Sequence, residues 1–415
     1  MRDRSERRPR VLFCTDTYPP QVNGVSVVTA LSVNGLRERG WDCAVVAPGY
    51  PPVLPQGPLT HEPDPNLTSI PSVAFPPYPD IRLAAPAYWR VSAAVRRFKP
   101  DIVHSATEFM IGRLGQMAAK RAGVVRLSSH HTDFSRYTAA YGVPWARPIV
   151  TRYIARFHRR SARVFTPSGP ARNDLYALGV KPVEVWGRGV DIDAFSPERR
   201  SQPLRAAYGI DESVVFLHVG RLAAEKGVDQ VVRAFLLARE LLPAGAARLV
   251  IAGAGPEEAS LRALAGPDVL FLGVLDRQRS LPRLYASADA FLFASLTETL
   301  GLVVLEAMAS GLPVIAVPAG GVADHLRNDE NGIAVPPHDV DAMARAIVAL
   351  TLDAIRRRRL SDGARRTACA LDWNTELDRL DAIYREVIGW NEKSGQHSRG
   401  ASDIFDDSAA NSAAS

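Results

Sequence analysis

The sequence has few cysteines and no long apolar run. Its three cysteines, Cys14, Cys43 and Cys369, show no paired spacing, and the first two lie inside apolar runs typical of buried strands. This usage excludes a disulfide scaffold and a cysteine-based metal site, and it favours a reducing compartment. No apolar run is long enough to span a bilayer. Because the basic segment Met1 to Arg10 leads into a single strand, we expect no signal peptide.

Lysine is also scarce, although the chain is basic. The formal net charge is +6, and arginine supplies nearly all of the positive charge. A basic balance fits nucleic acid, anionic lipid or phosphorylated small molecules as partners. No nucleic-acid-binding motif is present, so the sequence favours the last two classes. The only lysines are Lys99, Lys120, Lys181, Lys226 and Lys393.

Short apolar strands alternate with amphipathic helices along most of the chain. Val11 to Thr15 and Cys43 to Ala47 flank the first helix, and a second series begins with Val214 to Val219. Such alternation predicts parallel sheets with right-handed crossovers. We therefore predict an α/β fold with two Rossmann-like, doubly wound domains. The predicted divisions are a flexible N-terminus (1–9), a first domain (10–195), a second domain (196–371), a C-terminal helix (372–390) and a disordered tail (391–415).

Two segments of the first domain have an unusual composition. Residues 49–86 are rich in proline, and one strand is predicted there, near Leu67 to Phe75. Pro144 to Arg163 predicts a helix with arginines on one face and apolar residues on the other. Such a helix either lies on an anionic membrane surface, through residues 145–163, or covers a core with a solvated basic face. Both interpretations stay open at this point.

The stretch from Ala294 to Gly311 predicts a strand end, a turn and a helix start. Glu298 lies in the polar turn, and the helical spacing of apolar residues begins at Leu302. Free N–H groups at such a helix start bind anions. Glu298 would lie at the mouth of this anion site, and Glu306 would follow on a nearby face of the helix. The pair indicates a ligand with phosphate and hydroxyl groups, although a single pair at this spacing is more often two ordinary helix glutamates.

Polar residues also follow strands of the first domain. Asn23 and Gly24 precede the first helix, where the backbone can approach a phosphate closely, although an ordinary tight turn is equally consistent. His130 and His131 follow the strand Val124 to Ser129. Ligands bind beyond the carboxyl ends of strands in open parallel sheets. One of these histidines therefore faces a ligand, or both are structural.

Two further patterns are interpreted as coincidences. Asp191 with Asp193, like Asp339 with Asp341, repeats the two-aspartate pattern that binds metal in one class of sugar transferases. Neither pair has a suitable setting, and Asp339 is better explained as a helix N-cap. We therefore predict no metal site. The segment Gly253-Ala-Gly255 lacks the third glycine of the dinucleotide fingerprint, which disfavours an NAD enzyme.

Six motifs nevertheless occur in a specific order and at specific intervals. They are Pro19 to Val25, Ser129 to Thr132, Trp186 to Asp191, Gly220 to Gly227, Gly253 to Pro256, and Glu298 with Glu306. In this order they resemble the retaining glycosyltransferases of family 4, which have the GT-B fold. The resemblance covers about Arg10 to Trp390. It implies two Rossmann-like domains that face each other across a cleft, with the C-terminal helix crossing back onto the first domain.

The resemblance also implies roles for individual residues. Arg221 and Lys226 would hold the donor diphosphate and stabilise the leaving phosphate, without a metal or another cofactor. Glu298 would bind sugar hydroxyls, and His131 would lie beside the reacting sugar on the acceptor side. These four are the predicted catalytic residues. The donor site would further include Asn23, Gly24, Gly253, Val274 (near the base), Leu300, Gly301, Leu302, Val303 and Glu306 (at the ribose).

The implied activity is transfer of a hexose from a nucleotide sugar to a hydroxyl of a lipid or glycolipid acceptor. No clear covalent nucleophile is present, which favours front-face transfer assisted by the leaving phosphate. The segments at Trp186 and His131 resemble bacterial lipid-directed mannosyl- and sulfoquinovosyl-transferases, so GDP-mannose is the first choice of donor and a UDP-sugar the second. Thr299-Leu300 replaces a frequent Gly-Phe pair, which leaves the donor sugar open.

We expect a cytoplasmic protein, peripheral on the inner face of the plasma membrane. Three alternatives stay open on the sequence alone. They are transfer to a small soluble acceptor, a sugar-nucleotide epimerase and a non-enzymatic sugar-nucleotide-binding subunit, the last disfavoured because Arg221, Lys226 and Glu298 are all present.

Overall fold

Seven parallel strands and a small hairpin form the first domain. The computed structural model describes residues 7–21, 23–50, 64–75, 78–131, 144–210 and 212–402. The strands are β1 (Arg10–Cys14), β2 (Asp42–Pro48), β3 (Leu67–Ile70), β4 (Ser72–Phe75), β5 (Tyr78–Ala84), β6 (Ile102–Ser105), β7 (Val125–Ser129), β8 (Arg163–Thr166) and β9 (Val183–Val185). The helices are α1 (Gly24–Glu38), α2 (Tyr88–Phe98), α3 (Met110–Ala122), α4 (Arg147–His158) and α5 (Gly169–Ala177).

Helices cover both faces of the first sheet. Its order is β3-β2-β1-β6-β7-β8-β9, and every pair is parallel. In β1, Val11 pairs with Cys43 on one side and with Ile102 on the other, and Val11 to Cys14 are all buried. Strands buried on both faces need such continuous apolar runs. Because all seven strands run in one direction, their carboxyl ends lie at one edge.

The second domain repeats this plan with six strands. They are β10 (Val214–Val219), β11 (Ala247–Ala252), β12 (Val269–Gly273), β13 (Ala290–Phe293), β14 (Val314–Ala316) and β15 (Gly332–Ala334), in the parallel order β12-β11-β10-β13-β14-β15. Its helices are α6 (Gln202–Ala207), α7 (Val228–Glu240), α8 (Glu258–Leu264), α9 (Ser280–Ser287), α10 (Leu302–Ala309), α11 (Val340–Leu352) and α12 (Ala354–Cys369). Strand order reverses beside β10, where open α/β sheets bind ligands.

The last helix, α13 (Trp373–Ser402), packs on the first domain. Leu380 and Tyr384 belong to the same buried cluster as Val11 and Phe13 of β1. Trp41 Nε1 donates a hydrogen bond to Asp381 at 2.6 Å. Apolar burial and directed polar contacts therefore attach the end of the chain to the domain where it began.

Three elements differ from their predicted extents. The strand predicted near Leu67 to Phe75 is two strands, because Pro71, which lacks an N–H donor, separates β3 from the antiparallel pair β4–β5. The helix predicted over 144–163 ends at His158, since the chain rejoins the sheet in β8. Helix α13 continues to Ser402, because extending an existing helix needs no new nucleus, so residues 391–402 of the predicted disordered tail are helical. Residues 1–6 and 403–415 lie outside the described part of the chain.

Hydrogen bonds join the two domains at the carboxyl edges of their sheets. Thr299, beyond β13, donates its hydroxyl to the carbonyl of His131, beyond β7. Asp324 of the second domain accepts from Gly169 N at 3.0 Å and from Arg188 Nη2 at 2.8 Å. The carboxyl edges therefore face each other across a cleft. Among the described helices, none is both long and apolar enough to cross a membrane.

Candidate active site

The turn between β13 and α10 carries Glu298 and is fixed by two glycines. Gly321 N donates to the Glu298 carbonyl at 2.9 Å. A Cβ at Gly320, which has a φ of 55°, would come within 2.0 Å of the same carbonyl oxygen, and a Cβ at Gly321 within 2.3 Å of the Thr299 oxygen. Only glycine allows backbone to approach backbone so closely. The segment 320–321 therefore holds the Glu298 turn rigidly.

Lys226 approaches this turn from the neighbouring strand, β10. It lies in the loop after β10, and its Nζ pairs with Glu298 Oε1. Arg221, in the same loop, pairs with Glu225 through Nη2. The side chains of Lys226 and Glu298 are 17% and 18% exposed, so the pair is largely shielded from water. Lys226 and Glu298 are thus paired beyond the carboxyl ends of two adjacent strands, β10 and β13, and Arg221 lies in the same loop as Lys226.

Gly253 supports the Arg221 loop from behind. Its φ is 141°, and an added Cβ would meet the Gly220 carbonyl oxygen at 1.8 Å. The next residue, Ala254, accepts a hydrogen bond from Leu222 N at 3.0 Å. In the structure Gly253 therefore packs directly against the backbone at the start of the loop that carries Arg221.

The start of α10 has the geometry expected of an anion site. Gly301 is the N-cap with a left-handed φ of 74°, and the helix begins at Leu302. Leu300 is buried, Leu302 and Val303 are partly buried, and Tyr285 Oη donates to the Val303 carbonyl at 3.2 Å. The N–H groups of a first helical turn lack intrahelical partners and carry partial positive charge. This helix start directly follows the Glu298 turn.

Glu306 is completely buried and forms an ion pair that the sequence did not indicate. Its exposed fraction is 0%, and Arg277 Nη1 pairs with its Oε1. The Arg277 guanidinium also lies over the Phe195 ring, 5.2 Å from the centroid. A contact between Glu306 and a ribose therefore requires Arg277 to move or to join that contact. Val274, in the same loop as Arg277, is 48% exposed.

The first domain presents a buried network beside His131. Glu108 Oε1 accepts from His130 Nδ1 at 2.7 Å and from His158 Nε2 at 3.2 Å. Because the carboxylate can only accept, His158 donates through Nε2, and its Nδ1 accepts from the Ser128 hydroxyl at 2.9 Å. Burial alone would raise the pKa of Glu108, but these hydrogen bonds lower it to about 2.

His131 is neutral in this setting. Burial lowers its pKa to about 4, although the carboxylate of Glu108 acts in the opposite direction. At neutral pH the ring therefore carries one N–H donor and one acceptor nitrogen. His131 thus has an uncharged ring, and its backbone carbonyl accepts a hydrogen bond from Thr299 of the second domain.

Asn23 and Gly24 lie at the start of α1. Asn23 Oδ1 accepts from Ser26 N at 2.9 Å, and its Nδ2 donates to Thr17 at 2.7 Å. The Asn23 side chain is therefore the N-cap of α1. Gly24 is exposed, and a Cβ there would meet no atom within 4 Å.

The aspartate pairs serve as local caps. Asp339 Oδ1 accepts from Ala342 N at 2.7 Å, which confirms the predicted N-cap of α11, and Asp191 Oδ1 accepts from Ala194 N at 2.8 Å. Within the described ranges, Glu108, His130 and His158 are the only group of three metal-type ligands whose atoms lie within 4.8 Å of one another. Their ligand atoms bond to each other and to Ser128, as described above.

Two parallel α/β domains with functional groups at facing carboxyl edges define the GT-B class of sugar-transferring enzymes. The model of "Glycosyltransferase Family 4" matches residues 22–194, and that of "Glycosyl transferases group 1" matches residues 213–353. A GDP-mannose-dependent alpha-mannosyltransferase of Mycobacterium tuberculosis is 34% identical over 92% of this chain and 97% of its own length. This chain belongs to glycosyltransferase family 4 and is a retaining glycosyltransferase.

One further sequence relative and two solved structures are also similar to this chain. The sulfoquinovosyl transferase SQD2 of Arabidopsis thaliana is 32% identical over 74% of this chain and 61% of its own length. Anabaena HepE, solved with UDP-glucose, superposes with a TM-score of 0.71 at 18% identity, over 91% of this chain and 99% of that one. WaaG, a glycosyltransferase of lipopolysaccharide biosynthesis, gives a TM-score of 0.68 at 19% identity, covering 90% and 99% of the two chains. These structures agree on the fold.

Proposed function

We propose that the protein transfers mannose from GDP-mannose to a lipid or glycolipid hydroxyl, with retention and without a metal. The observation that carries this proposal is the convergence of Lys226, Glu298 and His131. Lys226 pairs with Glu298, and the next residue, Thr299, bonds to the backbone of His131, so contacts link these residues across the two domains. The choice of GDP-mannose is supported by the relatives of that name, which align over nearly their whole length.

In the proposed reaction the bond between sugar C1 and the diphosphate oxygen breaks, and its electron pair leaves with the phosphate. Arg221, Lys226 and the N–H groups at the start of α10 stabilise that developing charge. The acceptor oxygen bonds to C1 on the same face, and its proton passes to the departing phosphate oxygen. Glu298 holds sugar hydroxyls, and neutral His131 places the sugar through hydrogen bonds without adding charge beside the oxocarbenium-like centre.

A donor panel tests the proposal. The protein is incubated with membrane extract and one of four donors, and the masses of the lipid products are measured by mass spectrometry. The donors are GDP-mannose, UDP-glucose, UDP-N-acetylglucosamine and UDP-sulfoquinovose. We expect a mass increase of one hexose with GDP-mannose. An increase only with a UDP-sugar would replace the donor assignment. Donor turnover that does not depend on added acceptor would instead favour an epimerase.

We propose that the protein reaches its acceptor at a membrane, which it contacts through the exposed face of α4. We call Trp145, Arg147, Ile149, Arg152 and Arg156 the basic surface. All five are exposed, with Trp145 at 72% and Ile149 at 64%, while Ile154 and Phe157 on the other side of the helix are buried. Arginines beside an exposed tryptophan fit anionic headgroups and the interface beneath them. On the buried side of the same helix, His158 bonds to Glu108, which also bonds to His130, the residue before His131.

Vesicle flotation tests this surface. We expect binding to phosphatidylglycerol vesicles but not to phosphatidylcholine vesicles, and loss of binding in the double variant Trp145→Ala, Ile149→Ala. The matched control is Leu352→Ala, Ile355→Ala, which removes two exposed apolar side chains from the second domain. Equal loss in both variants, or none in either, would refute the assignment.

A further inference from the structure

One hydrogen bond links residues on opposite sides of the cleft that belong to the proposed site. The Thr299 hydroxyl donates to the His131 carbonyl oxygen. Thr299 directly follows Glu298, and His131 is the residue placed beside the sugar. The bond therefore sets the separation between Glu298 and His131, which are 167 residues apart along the chain and would contact the same sugar.

The second-domain end of this bond is rigid. Gly321 packs so closely on the Thr299 carbonyl that an added Cβ would meet that oxygen at 2.3 Å, and its N–H fixes the preceding carbonyl at 2.9 Å. Threonine is also stiff at χ1, because two heavy atoms branch from its Cβ. The rigidly held Thr299 hydroxyl on the second domain can therefore fix the position of the carbonyl to which it donates a hydrogen bond on the first domain.

The first-domain end is anchored up to the residue before His131. His130 N donates to the Phe165 carbonyl at 2.8 Å, and its own carbonyl accepts from Thr166 Oγ1 at 3.2 Å, so β8 holds His130. The next carbonyl, that of His131, accepts the hydrogen bond from Thr299 of the second domain. His131 is thus positioned by its own sheet on one side and by Thr299 on the other.

We propose that Thr299 is a positioning residue for transfer: its hydroxyl holds His131 in the geometry that the reacting sugar requires. This inference rests on the proposed function. Because Thr299 acts through the backbone of His131, its loss lowers kcat while the KM for the donor, held by Arg221 and Lys226, stays nearly constant. Misplacing one contact group by about 1 Å costs up to about a hundredfold in rate.

The chain offers a second interdomain tie as a control. Asp324 bonds to Gly169 N and to Arg188, and no described contact joins it to His131 or Glu298. Removing the Asp324 carboxylate loosens the two domains without touching the proposed sugar contacts. A general effect of domain closure would appear in both variants, whereas a positioning effect would appear only at Thr299.

The test compares Thr299→Val, Thr299→Ser and Asp324→Ala by steady-state transfer. For Thr299→Val we expect kcat to fall about ten- to a hundredfold with the donor KM within about twofold. Thr299→Ser, which keeps the hydroxyl, should restore most of the rate. Unchanged kcat in Thr299→Val, an equal fall in Asp324→Ala, or a rise in donor KM alone would each overturn the proposal. If the valine variant fails to fold, Thr299→Ala with Thr299→Ser gives the same comparison.

A double variant separates this proposal from the proposed function. If Thr299 acts only through His131, then Thr299→Val should add nothing to His131→Ala, and the double variant should match the single one. If the losses of kcat caused by the two single substitutions multiply in the double variant, the positioning role is overturned. Full activity in both His131→Ala and Lys226→Ala would instead refute the proposed site, whatever Thr299 does.

Discussion

The two walls of the cleft hold their functional groups by different means. The second-domain wall is built from glycine-packed turns and ion pairs, Lys226 with Glu298 and Arg221 with Glu225. The first-domain wall surrounds His131 with a network around Glu108 in which the histidine rings are buried. The second-domain wall therefore carries the two cations that a departing diphosphate would need, each paired with a carboxylate. The first-domain wall holds one ionised carboxylate, Glu108, and the neutral ring of His131, and neither group would repel a cationic transition state.

The largest effect is expected from removing a cation of the second-domain wall. Lys226→Ala should reduce transfer on the order of a hundredfold or more, because the leaving phosphate loses a pre-positioned charge. The measurement is kcat/KM with GDP-mannose. Lys181→Ala is the matched control, since Lys181 is exposed on the first domain. Near-normal turnover of the Lys226 variant would remove its assigned role.

The rigidity of the same wall can be broken without touching a polar group. In Gly320→Ala the new methyl would lie 2.0 Å from the Glu298 carbonyl oxygen, so the turn must shift. We expect about tenfold lower kcat and a loss of about 1–3 kcal/mol in the free energy of unfolding, by analogy with other strained backbone sites. Activity assays and urea unfolding measure the two effects.

Gly209→Ala separates the clash from backbone strain. Gly209 has a φ of 62°, close to the 55° of Gly320, but a Cβ there would meet nothing within 4 Å. This control should lose some stability and keep its turnover. An equal loss of kcat in both variants would show that packing on the Glu298 turn is not the cause.

The comparison of the walls shows what the sequence could and could not predict. Local patterns located Glu298 and the helix start, because a strand, a polar turn and a helix are encoded by neighbouring residues, whereas Lys226 was assigned from the family resemblance. Arg277 was missed because its partner Glu306 is brought to it only by the fold, although its place just after a strand end was a usable signal. The close packing of Gly253 on the backbone of Gly220 is likewise a contact between residues far apart in the sequence, and only the fold reveals it.

The first-domain wall was harder to predict for the same reason. Glu108, His130 and His158 come from three separate segments, and only the sheet brings them together. His131 was found because it follows a strand in a recognisable motif. Thr299 was noted only as a departure from a frequent pair, since its partner lies in the other domain.

Buried histidines should make the fold sensitive to acid. Burial lowers the pKa of His104 to about 3 and those of His131, His218 and His325 to about 4. The unfolded chain therefore binds more protons than the native one below about pH 6.5, so stability falls as the pH drops from 6.5 towards 4. Each such histidine contributes roughly 1 kcal/mol per pH unit in that window. Below about pH 4.5 the lowered pKa of Glu108 acts in the same direction.

Urea unfolding between pH 7.5 and 4.5 measures this dependence. His104→Gln should flatten the slope by about one proton, because His104 is buried against Tyr384 and Ser129. His338→Gln is the control, since it removes an exposed histidine in place of a buried one. A free energy of unfolding that stays constant down to pH 5 would contradict the protonation states assigned to the first-domain wall.

The smallest expected effect is that of removing metal. If Arg221, Lys226 and the start of α10 supply the charge at the diphosphate, then EDTA should leave the transfer rate within about twofold, because no divalent ion is needed there. Loss of activity that Mn²⁺ restores would contradict this prediction. Asp191→Asn and Asp339→Asn would then identify which aspartate is the ligand, whereas metal-dependent stability lost in His158→Gln would assign the ion to the Glu108 network. Because Asp339 already caps α11 and Asp191 caps its own turn, we expect both variants to change stability slightly and turnover hardly at all.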